Sequence, residues 1–525
     1  MKNSLIFLVL SLLSIMTFGQ DLPKEFKTVL VNKKIKEFRD TIDLSSPLKT
    51  CASVNYIMIN GKNSLWREVS TVRFKAFMPD PTVPDSKVTE EVKSRFLETT
   101  IKEIIYYKDS VACAISEIRD SLFSIRPFYF ENGKWLQAGE DERKSMESAR
   151  QHFAKYAEYN LQLLRRIIAI SKVPTDTTAF IVYLKEKGCN PKEFLLSKLN
   201  KYKLVMYGEI HRRKASWDLL QDAAKDKRFA KSTGVIFMEM ASHKQKDIDS
   251  FLANDTINTE LLLDVFRDYI DVGWNDKGMF DFVKCIWQIN RNLPDDKKIK
   301  IIAADTPRPF STFLSRADMI KNDSKYNRDE FMASTVINYL ESKKDNRNAL
   351  FIVGTGHTCK TTKSAGSILS KKMSQDLYTI FQHSPRVEER SAKYERIRYG
   401  IFDYAFYKLG DSPNAVDLKG SPFGKEPFDG LNYEGSGTYQ DNYDGYIFFG
   451  SLDDEPNGEC LYDLYSVKFI NEIDRRLHLE GSSLTEDWGL KELSKKAVIE
   501  HILASYSKTR WGNYIKPLIE GKTTQ

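Results

Sequence analysis

Between residues 203 and 450, short apolar runs rich in β-branched residues alternate with longer segments whose apolar positions recur at helical spacing. The short runs lie at 204–207, 235–238, 299–303, 350–353, 377–381 and 446–449, and the helical segments between them include 217–225, 245–252, 259–268 and 280–290. Strands that are apolar almost throughout are buried on both faces, and strand–helix alternation achieves this by laying helices over a parallel sheet. The predicted fold is therefore α/β, a mainly parallel sheet flanked by helices over residues 201–450.

The pattern ahead of this region is mixed. Residues 54–61 read as a strand ending in the Asn60-Gly61 turn signal, and 72–77 as a second strand, after which Pro79, Pro81 and Pro84 break the chain. Residues 110–123 and 143–171 carry apolar positions at helical spacing, so 20–200 is predicted to be a mostly helical accessory region. Residues 451–525 are amphipathic and are expected to form a helical extension. At the start, Lys2 precedes an apolar run from Leu5 to Phe18 followed by small residues near Gly19, which reads as a signal peptide over residues 1–19. The expected location is periplasmic or secreted. The run is short for a bilayer span, and no cysteine follows it to carry a lipid, so no stable membrane anchor is expected.

Composition narrows the function classes. With 41% hydrophobic and 29% charged residues in 525, the chain is neither disordered nor a multi-span membrane protein. Its 79 Lys and Arg against 72 Asp and Glu leave +7, spread without a block of like charge, which gives no footprint for nucleic acid. Six scattered cysteines with no CxxC pair indicate neither a zinc ribbon nor a disulfide framework.

Ligands of an open parallel sheet bind beyond the carboxyl ends of its strands. Four successive strands end in Gly208-Glu209-Ile210-His211, in Glu239 with His243 behind it, in Asp305-Thr306-Pro307-Arg308, and in Gly354-Thr355-Gly356-His357. One such acid or imidazole is more often a cap or a loop hydrogen-bonder. Four in succession point to a site. The candidate catalytic residues are Glu209, His211, Glu239 and His357, with Asp305 as their support and Arg308 and Lys360 as anchors for an anionic part of a small-molecule or peptide substrate. His243 is a weaker candidate, and His152, His383, His478 and His501 sit in structural contexts.

Two chemistries fit these residue types. His211, Glu239 and His357 could hold a divalent metal that activates water. Without metal, a carboxylate-oriented histidine could deprotonate water as a general base. Both lead to hydrolysis of an ester, lactone or amide. The run from Gly354 to Thr361 also has the outline of a phosphate-binding loop, but Cys359 stands where its second glycine belongs.

The four strand-end motifs, Gly208-Glu209-Ile210-His211, Glu239, Ala304-Asp305-Thr306-Pro307-Arg308 and Gly354-Thr355-Gly356-His357, together with Gln245 and Trp274, resemble the superfamily that joins ChaN-like haem-binding uptake proteins, TraB/Tiki proteins and erythromycin esterases. The resemblance covers about residues 203–450. It implies a hydrolase working through Glu209, His211, Glu239 and His357, or alternatively a haem- or iron-binding uptake protein that dimerises and carries out no turnover. The single residue between Glu209 and His211, where erythromycin esterases have two, places the chain nearer the ChaN branch.

Overall fold

The structure, a computed structural model, describes residues 22–511 apart from 39–40, 72–73, 75–83, 120, 132, 172–175, 343–344, 388–393, 431–434, 454 and 507–509. The signal peptide expected at 1–19 and most of the strand expected at 72–77 lie outside the described residues. Among those described, no helix is long and apolar enough to cross a membrane. The chain forms two compact units, divided after Ser171.

The first unit is built on an antiparallel sheet of β1 (Phe26–Lys34), β2 (Thr100–Tyr107), β3 (Val111–Arg119), β4 (Leu122–Glu131) and β5 (Lys134–Gln137) in that order, with β6 (Asp141–Arg143) also paired to β4. Alternate residues face opposite ways, as a strand's period of two requires. Ile105, Cys113 and Ile115 meet Phe153, Ala157 and Leu161 of the helix Met146–Ser171, while Ile104, Ala112 and Ala114 meet Cys51 and Ile59 of the helix Pro47–Asn60. The region is mixed, as expected, but two of its segments exchange roles. Residues 54–61, expected as a strand, complete the helix Pro47–Asn60: Ser46 caps its start, and Gly61 ends it at φ 59° in the left-handed region, donating to the carbonyls of Ile57 and Met58. The Asn-Gly signal is thus a helix stop and not a hairpin turn. Residues 110–123, expected as a helix, hold β3, paired along its length with β2 and β4.

The second unit contains β7 (Leu204–Glu209), β8 (Thr233–Ala241), β9 (Lys300–Asp305), β10 (Asn348–Gly354), β11 (Leu377–Gln382), a two-residue pair β12 (Arg386–Val387) with β13 (Tyr394–Glu395), then β14 (Asn414–Asp417) and β15 (Gly445–Phe448). Seven of these form one sheet in the order β14-β15-β11-β7-β10-β8-β9, parallel throughout except for the antiparallel edge strand β14. Every strand expected from the apolar runs is present; β14 is an addition. Val205, Tyr207, Ile236, Met238, Leu350 and Ile352 face one hydrophobic core, and Leu204, Met206, Val235, Phe237, Ala349 and Phe351 face another, so both sides of the sheet are covered. The helices Thr178–Lys187 and Pro191–Lys201, read from the sequence as part of the accessory region, belong to this unit; Phe194, Leu195 and Leu199 lie in the first of its cores. Helices Val467–Glu480, Leu484–Trp488 and Lys495–Tyr506 follow, as expected of the extension.

The topology decides what meets at the strand ends. The chain lays down β7, β8 and β9 first and returns to insert β10 between β7 and β8, pairing Gly354 with Glu209 and Ile352 with Met238. Glu209, Gly354, Glu239 and Asp305 consequently stand on four adjacent strands at one end of the sheet.

Candidate active site

Glu209 is the last residue of β7 and is buried, while His211, two residues on, stands exposed beyond the strand end. The His211 Nδ1 is hydrogen-bonded to Glu209 Oε1. Its Nε2 has no hydrogen-bond partner among the described residues, and the ring meets the Trp274 ring edge-on at 4.7 Å between centroids. Burial pushes the Glu209 carboxyl above its ordinary value, against the pull of His211. For His211, burial opposes the charged form, but the charge and hydrogen bond of Glu209, with Glu239 and Asp276 behind it, outweigh that and push its pKa up to about 9. The pair thus holds a proton tightly.

Glu239 is buried near the end of β8, where the pairing with β9 slips between Met238 and Ala241. Such a slip re-aims side chains at sheet ends. Glu239 Oε2 accepts from the Gly354 amide at 2.6 Å, and Oε1 accepts from Arg328 Nη2 at 2.5 Å. Burial alone would raise its pKa; Arg328, His211, His357 and the Gly354 amide together hold it below the usual carboxylate value. Arg328 also grips Asp305, its Nε lying 2.9 Å from Oδ1 and its Nη2 2.5 Å from Oδ2. One guanidinium therefore bridges the acids of two neighbouring strands.

His357 lies in the short helix Thr355–Thr358 just past β10. Its Nδ1 is 2.8 Å from Asp329 Oδ1, an oxygen that also accepts from the Ala365 amide at 2.7 Å. Its Nε2 is 3.4 Å from Arg328 Nη1 and 3.8 Å from Glu239 Oε1. Burial again opposes the charged ring, but Asp329 and Glu239 outweigh it and raise the His357 pKa above the ordinary histidine value. A Cβ placed on Gly354 would lie 3.3 Å from Glu239 Oε2, 3.4 Å from His211 Cε1 and 3.6 Å from His357 Cδ2. The two imidazoles and the buried acid thus converge on a single glycine, and a side chain there would sit tightly against Glu239 and His211.

Of the residues expected at the site, Glu209, His211, Glu239 and His357 come together, with Asp305 joined to them through Arg328. Arg308 does not join them: its guanidinium is paired with Asp323 at 2.7 and 3.1 Å. Lys360 is likewise paired with Asp444 at 2.7 Å. His243 is held by Asp268 at 2.8 Å and accepts from the Arg308 amide, a brace between loops. The phosphate-loop outline dissolves into the helix Thr355–Thr358 and the buried Cys359, whose Sγ contacts Asn442.

Three contributors were not singled out from the sequence. Arg328 and Asp329 open the helix Arg328–Ser342, behind Asn327, whose side chain accepts from the Glu330 amide as a cap. Asp276 is buried beside the His211 turn, accepting from the Arg212 amide at 3.0 Å and from the Trp217 indole at 2.8 Å. An Arg-Asp pair in the first turn of the helix preceding β10 was the available signal, yet acids are so common in first turns that it reads as ordinary capping.

The metal expected on His211, Glu239 and His357 does not fit these residues. The Arg328 guanidinium supplies the positive charge beside Glu239 and Asp305 where a divalent cation would be needed. Among the described residues no group of three or more His, Cys, Asp and Glu side chains could hold a metal ion.

No protein-family model matches the chain, and no curated protein matches it. Several solved structures do. One is a succinoglycan biosynthesis protein at 10% identity and TM-score 0.39, covering 53% of this chain and 98% of that one. Another is the erythromycin esterase EreC in an open conformation, at 9% identity and TM-score 0.37, covering 50% and 95%. A third is the haem-binding ChaN of Campylobacter jejuni, at 17% identity and TM-score 0.27, covering 38% and 92%. What the site can do follows from its own residues.

Proposed function

We propose that the chain is an exported hydrolase of ester, lactone or amide bonds in small-molecule or peptide substrates, working through its own acid–base groups. The observation that carries this reading is the His211 ring, oriented by buried Glu209 through Nδ1 and left with an uncommitted Nε2 beside the glycine where Glu239 and His357 meet.

In its neutral form, His211 takes a proton from water at Nε2 while the water oxygen attacks the carbonyl carbon; Glu209 keeps the ring's tautomer and balances the imidazolium that results. The developing oxyanion is met by Arg328 Nη1, the arm of the guanidinium not bonded to Glu239 or Asp305. Glu239 and Asp305 fix that guanidinium in place. As the intermediate collapses, the bond to the leaving oxygen or nitrogen breaks, and the charged form of His357, favoured and oriented by Asp329, gives that atom its proton from Nε2. The acid forms with the departing alcohol or amine, and the two histidines end with exchanged protonation, reset by solvent.

The test is turnover of a panel of activated esters, lactones and peptide amides by the purified mature chain. His211→Ala should lower kcat/KM by about 10²–10⁴-fold, the usual contribution of a positioned base. Its circular dichroism should be unchanged, and wild-type activity should survive a chelator. Equal turnover by wild type and His211→Ala would reject the assignment.

A further inference from the structure

His211 sits on a turn that the sequence alone does not stabilise. Arg212 adopts φ 62°, a left-handed conformation costly for a residue with a side chain. Elements far along the chain hold it there. The Arg212 carbonyl accepts from the Gly458 amide at 3.0 Å and from Arg510 Nη1 at 2.8 Å, and the His211 carbonyl accepts from Arg510 Nη2 at 2.7 Å. Gly458 comes so close that a Cβ on it would lie 2.5 Å from the Arg212 oxygen.

Arg510 is itself anchored. Its amide donates to the Glu455 carbonyl at 2.9 Å, and the neighbouring Trp511 indole donates to Glu455 Oε2 at 2.8 Å. The same Glu455 carboxylate receives the fully buried Arg213 guanidinium, Nε at 2.6 Å and Nη2 at 2.8 Å. Trp511 and Leu452 pack together with Ile210, the residue between Glu209 and His211. Residues 210 to 213 are thereby held by Glu455, Gly458, Arg510 and Trp511.

We infer that Arg510 is a positioning residue for the proposed reaction, its fork holding the His211 and Arg212 carbonyls so that His211 stays in register with Glu209. This rests on the reading of His211 as the working base. A guanidinium suits the task because two of its N–H groups diverge in one plane and can span two successive carbonyls; a lysine ammonium is a single point on a flexible stem.

The experiment compares full-length wild type with Arg510→Gln, Arg510→Lys and Trp511→Phe. One readout is the downfield proton resonance of the carboxylate-bound His211 Nδ1–H, assigned by its loss in His211→Ala; the other is the split of kcat and KM on the best ester found. In Arg510→Gln and Arg510→Lys the resonance should broaden or vanish, and kcat should fall about 100-fold with KM little changed, the scale of loss from a misplaced catalytic group. Trp511→Phe should do the same more weakly, and it supplies the answer should both Arg510 variants fail to fold. A sharp, unshifted resonance in the folded variants overturns the inference whatever the activity does, as does full rescue of kcat by Arg510→Lys. Loss of the resonance with no hydrolysis by wild type leaves the clamp standing and removes the hydrolase reading instead.

Discussion

His211 and His383 are both histidines paired with a buried carboxylate in the same unit, and they differ in what is left over. His383 is fully buried, with Nδ1 on the Tyr446 hydroxyl and Nε2 3.2 Å from Asp403, which Arg396 also holds. Both of its nitrogens are committed. His211 commits one nitrogen to Glu209 and leaves 48% of its side chain exposed. An imidazole–carboxylate pair is therefore not by itself a catalytic device. Closed on both sides it is a core brace; open on one side, at a strand end where other acid–base groups converge, it can move a proton.

The sharpest way to break this comparison is to remove each ring in turn. His383→Ala should cost on the order of 3–5 kcal/mol, since it opens a cavity and strips partners from Tyr446 and Asp403 in the core. His211→Ala should cost clearly less, and above about pH 9, where the pair has lost its proton, it should leave the denaturation midpoint nearly unchanged, while kcat/KM falls about 10²–10⁴-fold. Urea unfolding of both variants measures the contrast, and a similar stability loss in the two would erase it.

Arg328→Met comes next. It leaves Glu239 and Asp305 buried without their shared cation, so a loss of about 1–3 kcal/mol is expected, less than for a fully enclosed pair because the guanidinium is 44% exposed. Turnover should fall with it, and Arg328→Lys should recover stability better than rate.

A smaller effect is the pH dependence of stability. The His211 pKa stands near 9 in the folded chain against an ordinary 6.5, so the folded state binds the proton more tightly. The resulting stabilisation is whole below pH 6.5 and is lost as pH rises through about 9. Melting temperature should decline over that window more steeply in wild type than in His211→Ala; parallel curves would show that the open pair contributes no more than bulk histidine.

The fold was legible where the period was unambiguous. The apolar runs at 204–207 and 350–353 are strands because burial on both faces leaves no room for a polar stripe, and the sheet's parallel order follows from the helices between them. In the first unit, local signals misled. Asn60-Gly61 serves a hairpin or a helix stop equally well, and only Ser46-Pro47, a cap and first-turn proline fourteen residues back, distinguishes them. The stretch Val111-Ala112-Cys113-Ala114-Ile115 becomes a strand through pairing with two distant neighbours, which no local window contains. At the site, the strand-end acids and histidines were readable because position at a strand end is itself a functional signal. Arg328 and Asp329 were not, because a charged pair in a helix's first turn is the commonest of solvent-facing patterns. Arg510 was beyond reach, since its meaning lies in two carbonyls some 300 residues away.

The most direct test of the account is kcat/KM against pH for wild type and Glu209→Gln side by side. With His211 as a base held up by Glu209 and His357 as the acid, the wild-type profile should be bell-shaped with one limb near pH 9, and loss of the carboxylate should move that limb to lower pH while lowering the maximum. Superimposable profiles, or a wild-type rate indifferent to pH across the window, would contradict it.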